Sequence, residues 1–276
     1  GNAGVGVRDA VLAGGFSGTL KLCFQPAEEL GAGGDAMVRS GHLDDVDHLL
    51  AVHVGLDHPT GEIVAGVEGF LAVTGFDVTF RGESAHAGGH PAQGRHALGA
   101  AATATTQLHA TPPHQDGATR INVGEVHSPN GQNVVADEAS LRVETRGATD
   151  DLDAYVLDHA RRIVAAAAEM HDVEVETERY GAAADFEPDA AMVDRVVAAA
   201  GTVDAVDEVI RRKEMGGSED ASYLIRRVQE AGGVATYVGI GASNPSGHHT
   251  AEFDVDEDAI DLGIDLAAAT VRGRGD

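Results

Sequence analysis

Between Thr74 and Arg179 the hydrophobic pattern changes period in a fixed order, and that order narrows the possible folds more than any other feature. Phe70 to Phe80 alternates, with Val73, Phe76, Val78 and Phe80 apolar, so residues 74–81 read as a strand. Residues 94–109 are rich in Ala and Leu and read as a helix. Residues 120–127 and 139–146 return to strand patterning. A second helix is expected over 151–171, opened by the acidic pair Asp150 and Asp151, and a last strand over 174–179. Strand, helix, strand, strand, helix, strand is the split βαβ order of a ferredoxin-like α+β domain. The flanking sequence instead alternates helices with short apolar strands, as in α/β layers. The expected architecture is one α/β domain, residues 1–71 and 181–276, interrupted by an inserted α+β domain, residues 72–180.

In the first flank we expect a helix over 1–12 with Val5, Val7, Val11 and Leu12 mostly inward. No cap precedes that helix, so sequence upstream of Gly1 is expected. Residues 19–24 form an apolar, β-prone run that reads as a buried strand, with Cys23 a small buried apolar residue inside it. Pro26 lacks the N–H a ladder needs and ends the strand. Residues 31–34 read as a flexible Gly-rich loop, 35–40 as a short helix and 49–54 as a strand. In the second flank helices are expected over 189–200, 218–231 and 256–272, with a strand over 235–240. The tail, residues 272–276, reads as disordered.

Composition excludes several classes. The formal net charge is -26, and the only lysines are Lys21 and Lys213. Such a chain cannot neutralise a phosphate backbone, which argues against a nucleic-acid partner. It fits a protein that stays soluble at high salt, where screening relieves self-repulsion, so a halophilic source is expected. No apolar run has membrane-spanning length, and Cys23 is the only cysteine, so an intrachain disulfide is impossible. A cytoplasmic location is the default.

The chemistry-bearing residues gather behind predicted strands. Glu28 and Glu29 follow the first strand, His53 ends the second, and His248 and His249 follow the strand over 235–240. In open α/β sheets ligands sit at such strand ends. Imidazole and carboxylate together suit Zn, Mn or Co. His86 lies in a Gly-rich loop, residues 82–91. Ser218-Glu219-Asp220 reads as a helix start, with the acids at the positive end of the dipole. No Gly-x-Ser-x-Gly elbow or phosphate loop appears, so serine-hydrolase and P-loop chemistry are unsupported.

Taken together, these stretches resemble a known family. Phe24-Gln25-Pro26-Ala27-Glu28-Glu29, Ala51-Val52-His53 and the 82–91 loop are similar to motifs of the dinuclear-metal aminoacylase/carboxypeptidase family, in its amidohydrolase branch. So are Gly131-Gln132-Asn133, Val143-Glu144-Thr145-Arg146, Gly217-Ser218-Glu219-Asp220 and Gly247-His248-His249 with Phe253-Asp254. The resemblance implies a zinc-exopeptidase (phosphorylase/hydrolase-like) α/β catalytic domain, with the insert as a dimerisation lid. It makes Glu28 the general base and Glu29, His53 and His249 metal ligands. His86 would stabilise the oxyanion in the partner protomer's site, and Asn133 and Arg146 would hold the substrate carboxylate. The implied cofactor is a pair of divalent ions, Zn or Mn. The implied substrate is an N-acyl or N-aroyl amino acid, p-aminobenzoyl-glutamate being one candidate. The implied assembly is a homodimer through the insert; a related second subunit is also expected. Family members carry a Cys-Gly-His-Asp stretch before the opening helix that this chain does not contain, so weak or single-ion binding is expected. A catalytically incomplete remnant and a dipeptidase or aminopeptidase remain as alternatives.

Overall fold

A computed structural model describes residues 2–55, 57–244, 246 and 250–273. The chain begins with α1 (Asn2–Ala13) and α2 (Gly33–Arg39). Four strands follow, β1 (His48–Val54), β2 (Glu62–Val64), β3 (Val67–Glu68) and β4 (Ala72–Arg81). Next come β5 (Ala85–His86), α3 (Ala97–Leu108), β6 (Thr119–His127), β7 (Val134–Val135), β8 (Glu138–Gly147), α4 (Asp150–Met170) and β9 (Glu174–Ala183). The chain closes with α5 (Ala190–Ala200), β10 (Glu208–Ile210), β11 (Lys213–Glu214), α6 (Ser222–Glu230), β12 (Val234–Ile240) and α7 (Asp258–Arg272).

The α+β pattern folds as its periodicity demands. Its antiparallel sheet has the order β6-β8-β4-β9, which places the unit's first and third long strands at the centre. Alternate residues of β4 and β8 (Phe76, Val78, Phe80, Ala139, Leu141 and Val143) turn to one face and are buried. Both helices cover that face. Ala97, Ala100, Ala101, Ala104 and Leu108 repeat at helical spacing on α3, and Val156, Ala160, Val164 and Ala167 on α4. The small alanines let the helices lie close to the sheet. Thr149 caps α4, its Oγ accepting from the backbone N–H of Leu152 at 3.3 Å.

The flanking sequence builds a second, mixed sheet of order β1-β12-β2-β10. β1 and β12 run parallel from His48–Val234 to Val54–Ile240, while β12 meets β2 antiparallel. α5 and α7 pack with this sheet in one apolar cluster that includes Ile63, Val193, Val238, Leu262 and Leu266. On the other side Phe70, Phe186, Ile225 and Tyr237 form a second cluster. None of the helices among the described residues is long and apolar enough to cross a membrane.

Several expectations fail here. Residues 19–24 are not a strand: they run extended without a ladder partner, and Leu22, Cys23 and Phe24 are exposed. An apolar β-prone run makes a strand only where a neighbouring edge accepts its N–H and C=O groups. In α1, Val11 is buried, but Val5 and Leu12 are exposed, because α7 covers only one stripe of the helix. The short strands β2, β3, β10 and β11 are not legible in the sequence, being too brief to show alternation. The tail expectation reaches residues 274–276, which lie outside the described residues.

Candidate metal and catalytic site

The segment after residue 24 is shaped by one strained residue. Ala27 sits at φ 54°, ψ 34°, a left-handed conformation that costs a side chain with a Cβ energy. It opens a 3₁₀ turn, Glu28–Leu30, whose bonds return to the Ala27 carbonyl from Leu30 N at 3.1 Å and Ala32 N at 3.3 Å. The two neighbouring acids therefore diverge. Glu29 is exposed, while Glu28 is half-buried and comes together with Glu219 and Asp220. One carboxylate oxygen from each of these three lies within 4.8 Å of the others.

Glu219 and Asp220 do not open a helix, which corrects the expectation from the sequence. α6 starts only at Ser222; residues 219–224 turn by bonds such as Ser222 N to Glu219 O at 3.1 Å. Both carboxylates are buried and face away from the helix. Glu219 accepts from the Tyr237 hydroxyl at 2.7 Å, and Asp220 accepts from Gly34 N at 2.7 Å and from the Gln25 side-chain amide. The segment 31–34, expected to be a flexible loop, has a structural duty. A Cβ on Gly34 would stand 2.0 Å from the Asp220 carbonyl, and one on Gly33 1.7 Å from the Pro26 carbonyl, so only glycine lets these backbones meet. The signal available in the sequence is the combination of Gly33-Gly34 and Gly216-Gly217 with adjacent acids.

Burial pushes the Asp220 carboxyl above its ordinary value; the Glu219 charge adds to this and the Gly34 amide opposes it. Burial, then the Glu219 carboxylate, likewise pushes the Tyr237 hydroxyl upward, so it stays a donor. A cluster of acids held this close favours a proton or a cation. Carboxylate oxygens suit a divalent ion, so the donor set fits the metal that the sequence resemblance implies.

The two histidines named from the sequence are held in opposite tautomers. Nδ1 of His53 lies 2.7 Å from the Val54 carbonyl, which can only accept. In a neutral ring the proton is therefore on Nδ1 and the lone pair on Nε2, the state a metal ligand needs. Nδ1 of His86 accepts from the backbone N–H of Gly88 at 3.1 Å and of Gly89 at 2.9 Å. Its neutral ring carries the proton on Nε2, the state an oxyanion donor needs. His53 stands on β1 opposite Gly239 of β12, its ring 6.2 Å from that of Tyr237. His86 lies on β5 against Val134, and Ala87 N donates to the Asn133 carbonyl at 2.9 Å, so His86 and Asn133 share one hairpin. Arg146 on β8 directs its fork to Glu144 on the same strand, at 2.6 and 3.1 Å. His249 lies outside the described residues.

The architecture and this set of residues define a class. Residues 8–273 match the model of Peptidase family M20/M25/M40, and the chain belongs to that family. It is 45% identical over 257 residues to the first subunit of the p-aminobenzoyl-glutamate hydrolase of Escherichia coli, covering 93% of this chain and 59% of the relative. It is 43% identical to the indole-3-acetyl-aspartic acid hydrolase of Enterobacter agglomerans, over 92% of this chain and 58% of that protein. The crystal structure of an aminobenzoyl-glutamate utilization protein from Klebsiella pneumoniae superposes with a TM-score of 0.89 at 40% identity, over 99% of this chain and 66% of that one. The chain thus spans about six tenths of the length of the curated relatives it matches. A Bacillus subtilis protein described as a dinuclear metal binding peptidase from the M20 family shares the fold at a TM-score of 0.64 and 19% identity, over 90% of this chain and 63% of that one.

Proposed function

We propose that the chain carries the catalytic machinery of an M20 amidohydrolase that cleaves the amide bond of N-acyl or N-aroyl amino acids. The observation that carries this reading is the divergence of Glu28 and Glu29 at the strained Ala27 turn, beside a histidine whose lone pair is on Nε2. The names of the two relatives quoted support an acidic amino acid, glutamate or aspartate, on the amine side of the bond.

In this reading Glu29, His53 and His249 hold divalent ions, Zn or Mn, two in the intact site. When bound, such ions supply Lewis-acid polarisation of the amide carbonyl. Glu28 takes a proton from the attacking water and returns it to the leaving amine nitrogen. Glu219 and Asp220 keep negative charge beside Glu28 and so raise the value of a proton there. The Nε2–H of His86 donates to the tetrahedral oxyanion. Asn133 and Arg146 hold the substrate carboxylate, Arg146 by exchanging Glu144 for it. The α+β unit, residues 72–180, serves as an inserted lid and dimerisation domain that brings His86 to a partner protomer's site. The Escherichia coli relative is named as one subunit of its hydrolase, which supports a related second subunit here. A cytoplasmic, halophilic setting completes the reading, supported by the net charge of -26.

The test is a pair of variants assayed with N-acyl-glutamate and analysed for bound metal. Glu28→Gln should abolish turnover with metal content retained, and Glu29→Gln should lose metal. Loss of metal from Glu28→Gln would reassign Glu28 as a ligand alongside Glu219 and Asp220.

A further inference from the structure

A cavity of about 330 Å³ opens between the loop after β1 and strand β11. Val64 and Met215 form part of its apolar lining, and Asp57, His58 and Lys213 its polar wall, with Glu214 beside them. Its position matters. Asp57 and His58 follow the β1 end that carries His53, and Lys213 to Met215 lead directly into the turn that carries Glu219 and Asp220. The His58 carbonyl accepts from Ala242 N at 3.0 Å and Ser243 N at 2.9 Å, which ties the same loop to the segment leaving β12. The cavity therefore lies where the loops at the carboxyl ends of parallel strands converge.

Three side chains run through its wall in series. Glu62 Oε2 lies 2.8 Å from Nδ1 of His58, and the Lys213 ammonium lies 2.8 Å from Nε2. A carboxylate can only accept and an ammonium can only donate, so the ring is neutral with its proton on Nδ1. His58 is buried at 7% exposure and cannot turn away. This chain of bonds aims the Lys213 ammonium and leaves its charge facing the cavity. Lys21, the other lysine, is paired directly with Asp45. Among the described residues no carboxylate lies within ion-pair distance of Lys213. Asp57 already accepts from the Asn244 amide at 3.1 Å, and the Glu214 stem lies against Gly69.

We propose that Lys213, oriented by His58 and Glu62, binds the side-chain carboxylate of an N-acylated acidic amino acid in this cavity. The proposal rests on the amidohydrolase reading and adds to it a specificity residue. An ammonium held by an imidazole rather than by a carboxylate keeps its charge for a ligand, and the apolar lining beside it takes the methylenes that carry the ligand's acid group.

Because the chain has only two lysines, isotope-labelled lysine gives two side-chain NMR signals, assigned with a Lys21→Arg variant. N-acetyl-L-glutamate should move the Lys213 signal saturably and leave that of Lys21 in place. N-acetyl-L-glutamine, its neutral isostere, should move the Lys213 signal far less. Lys213→Met should weaken binding of the acid by about tenfold or more, the loss expected of one charged contact, and change binding of the amide by less than about twofold. Equal responses to acid and amide, or equal weakening of both by Lys213→Met, would overturn the proposal. Hydrolysis of N-acetyl-L-glutamate by the chain without any Lys213 response would overturn it while leaving the amidohydrolase reading intact. Absence of both hydrolysis and response would remove both.

Discussion

In the α+β unit, β4 and β8 stay in register from Ala72–Gly147 to Arg81–Glu138, and two Ala-rich helices close one face. Around the acids, β2 meets β10 only from Glu62–Glu208 to Val64–Ile210, and β3 meets β11 only at Val67–Lys213 and Glu68–Glu214. The first region is held by repeated apolar contacts and long ladders. The second is held by single, specific contacts: a tyrosine hydroxyl on Glu219, a glycine amide on Asp220, a left-handed alanine before Glu28. The difference is that between a scaffold and a site. Periodic burial stabilises, whereas crowding buried acids and straining a turn costs stability and is retained where chemistry needs it.

The comparison can be broken most directly in the scaffold. Phe80 is fully buried at the centre of the β4 face. Phe80→Ala should cost about 3–5 kcal/mol in urea unfolding, the range for an emptied aromatic site. A loss under about 1 kcal/mol would mean that the sheet and helices do not form one close-packed core. In the site region, Tyr237→Phe leaves Glu219 without its hydroxyl donor and should cost about 1–3 kcal/mol by the same measurement.

Asp220 should behave in the opposite sense. Burial holds its carboxyl above the ordinary value of 3.8, so the folded chain keeps that proton more readily than the unfolded chain. Its stabilising contribution is complete below about pH 4 and is lost as pH rises through the raised value. Asp220→Asn should therefore gain stability relative to the parent as pH rises from about 4 to about 8, provided no divalent ion is present. Unfolding midpoints at the two pH values check this, and a gain that shrinks with pH would reverse the sign of the argument. The smallest effect per step should come from salt. With a net charge of -26, unfolding midpoints should climb gradually with KCl, and a flat response would remove the case for a halophilic setting.

The sequence by itself determined the α+β unit. Its element order and the apolar faces of β4, β8, α3 and α4 follow from alternation and helical spacing, which are local properties of the chain. It also named Glu28, Glu29, His53 and His86 as the residues to watch. Only the tertiary structure decided that residues 19–24 stay unpaired and that Cys23 is exposed, because strand pairing depends on which edge lies alongside. Only the tertiary structure turned Glu219 and Asp220 from a helix start into buried partners of Glu28, and joined Glu62, His58 and Lys213 in series. Those contacts link residues far apart in the chain and obey no period, so nothing in the local pattern announces them.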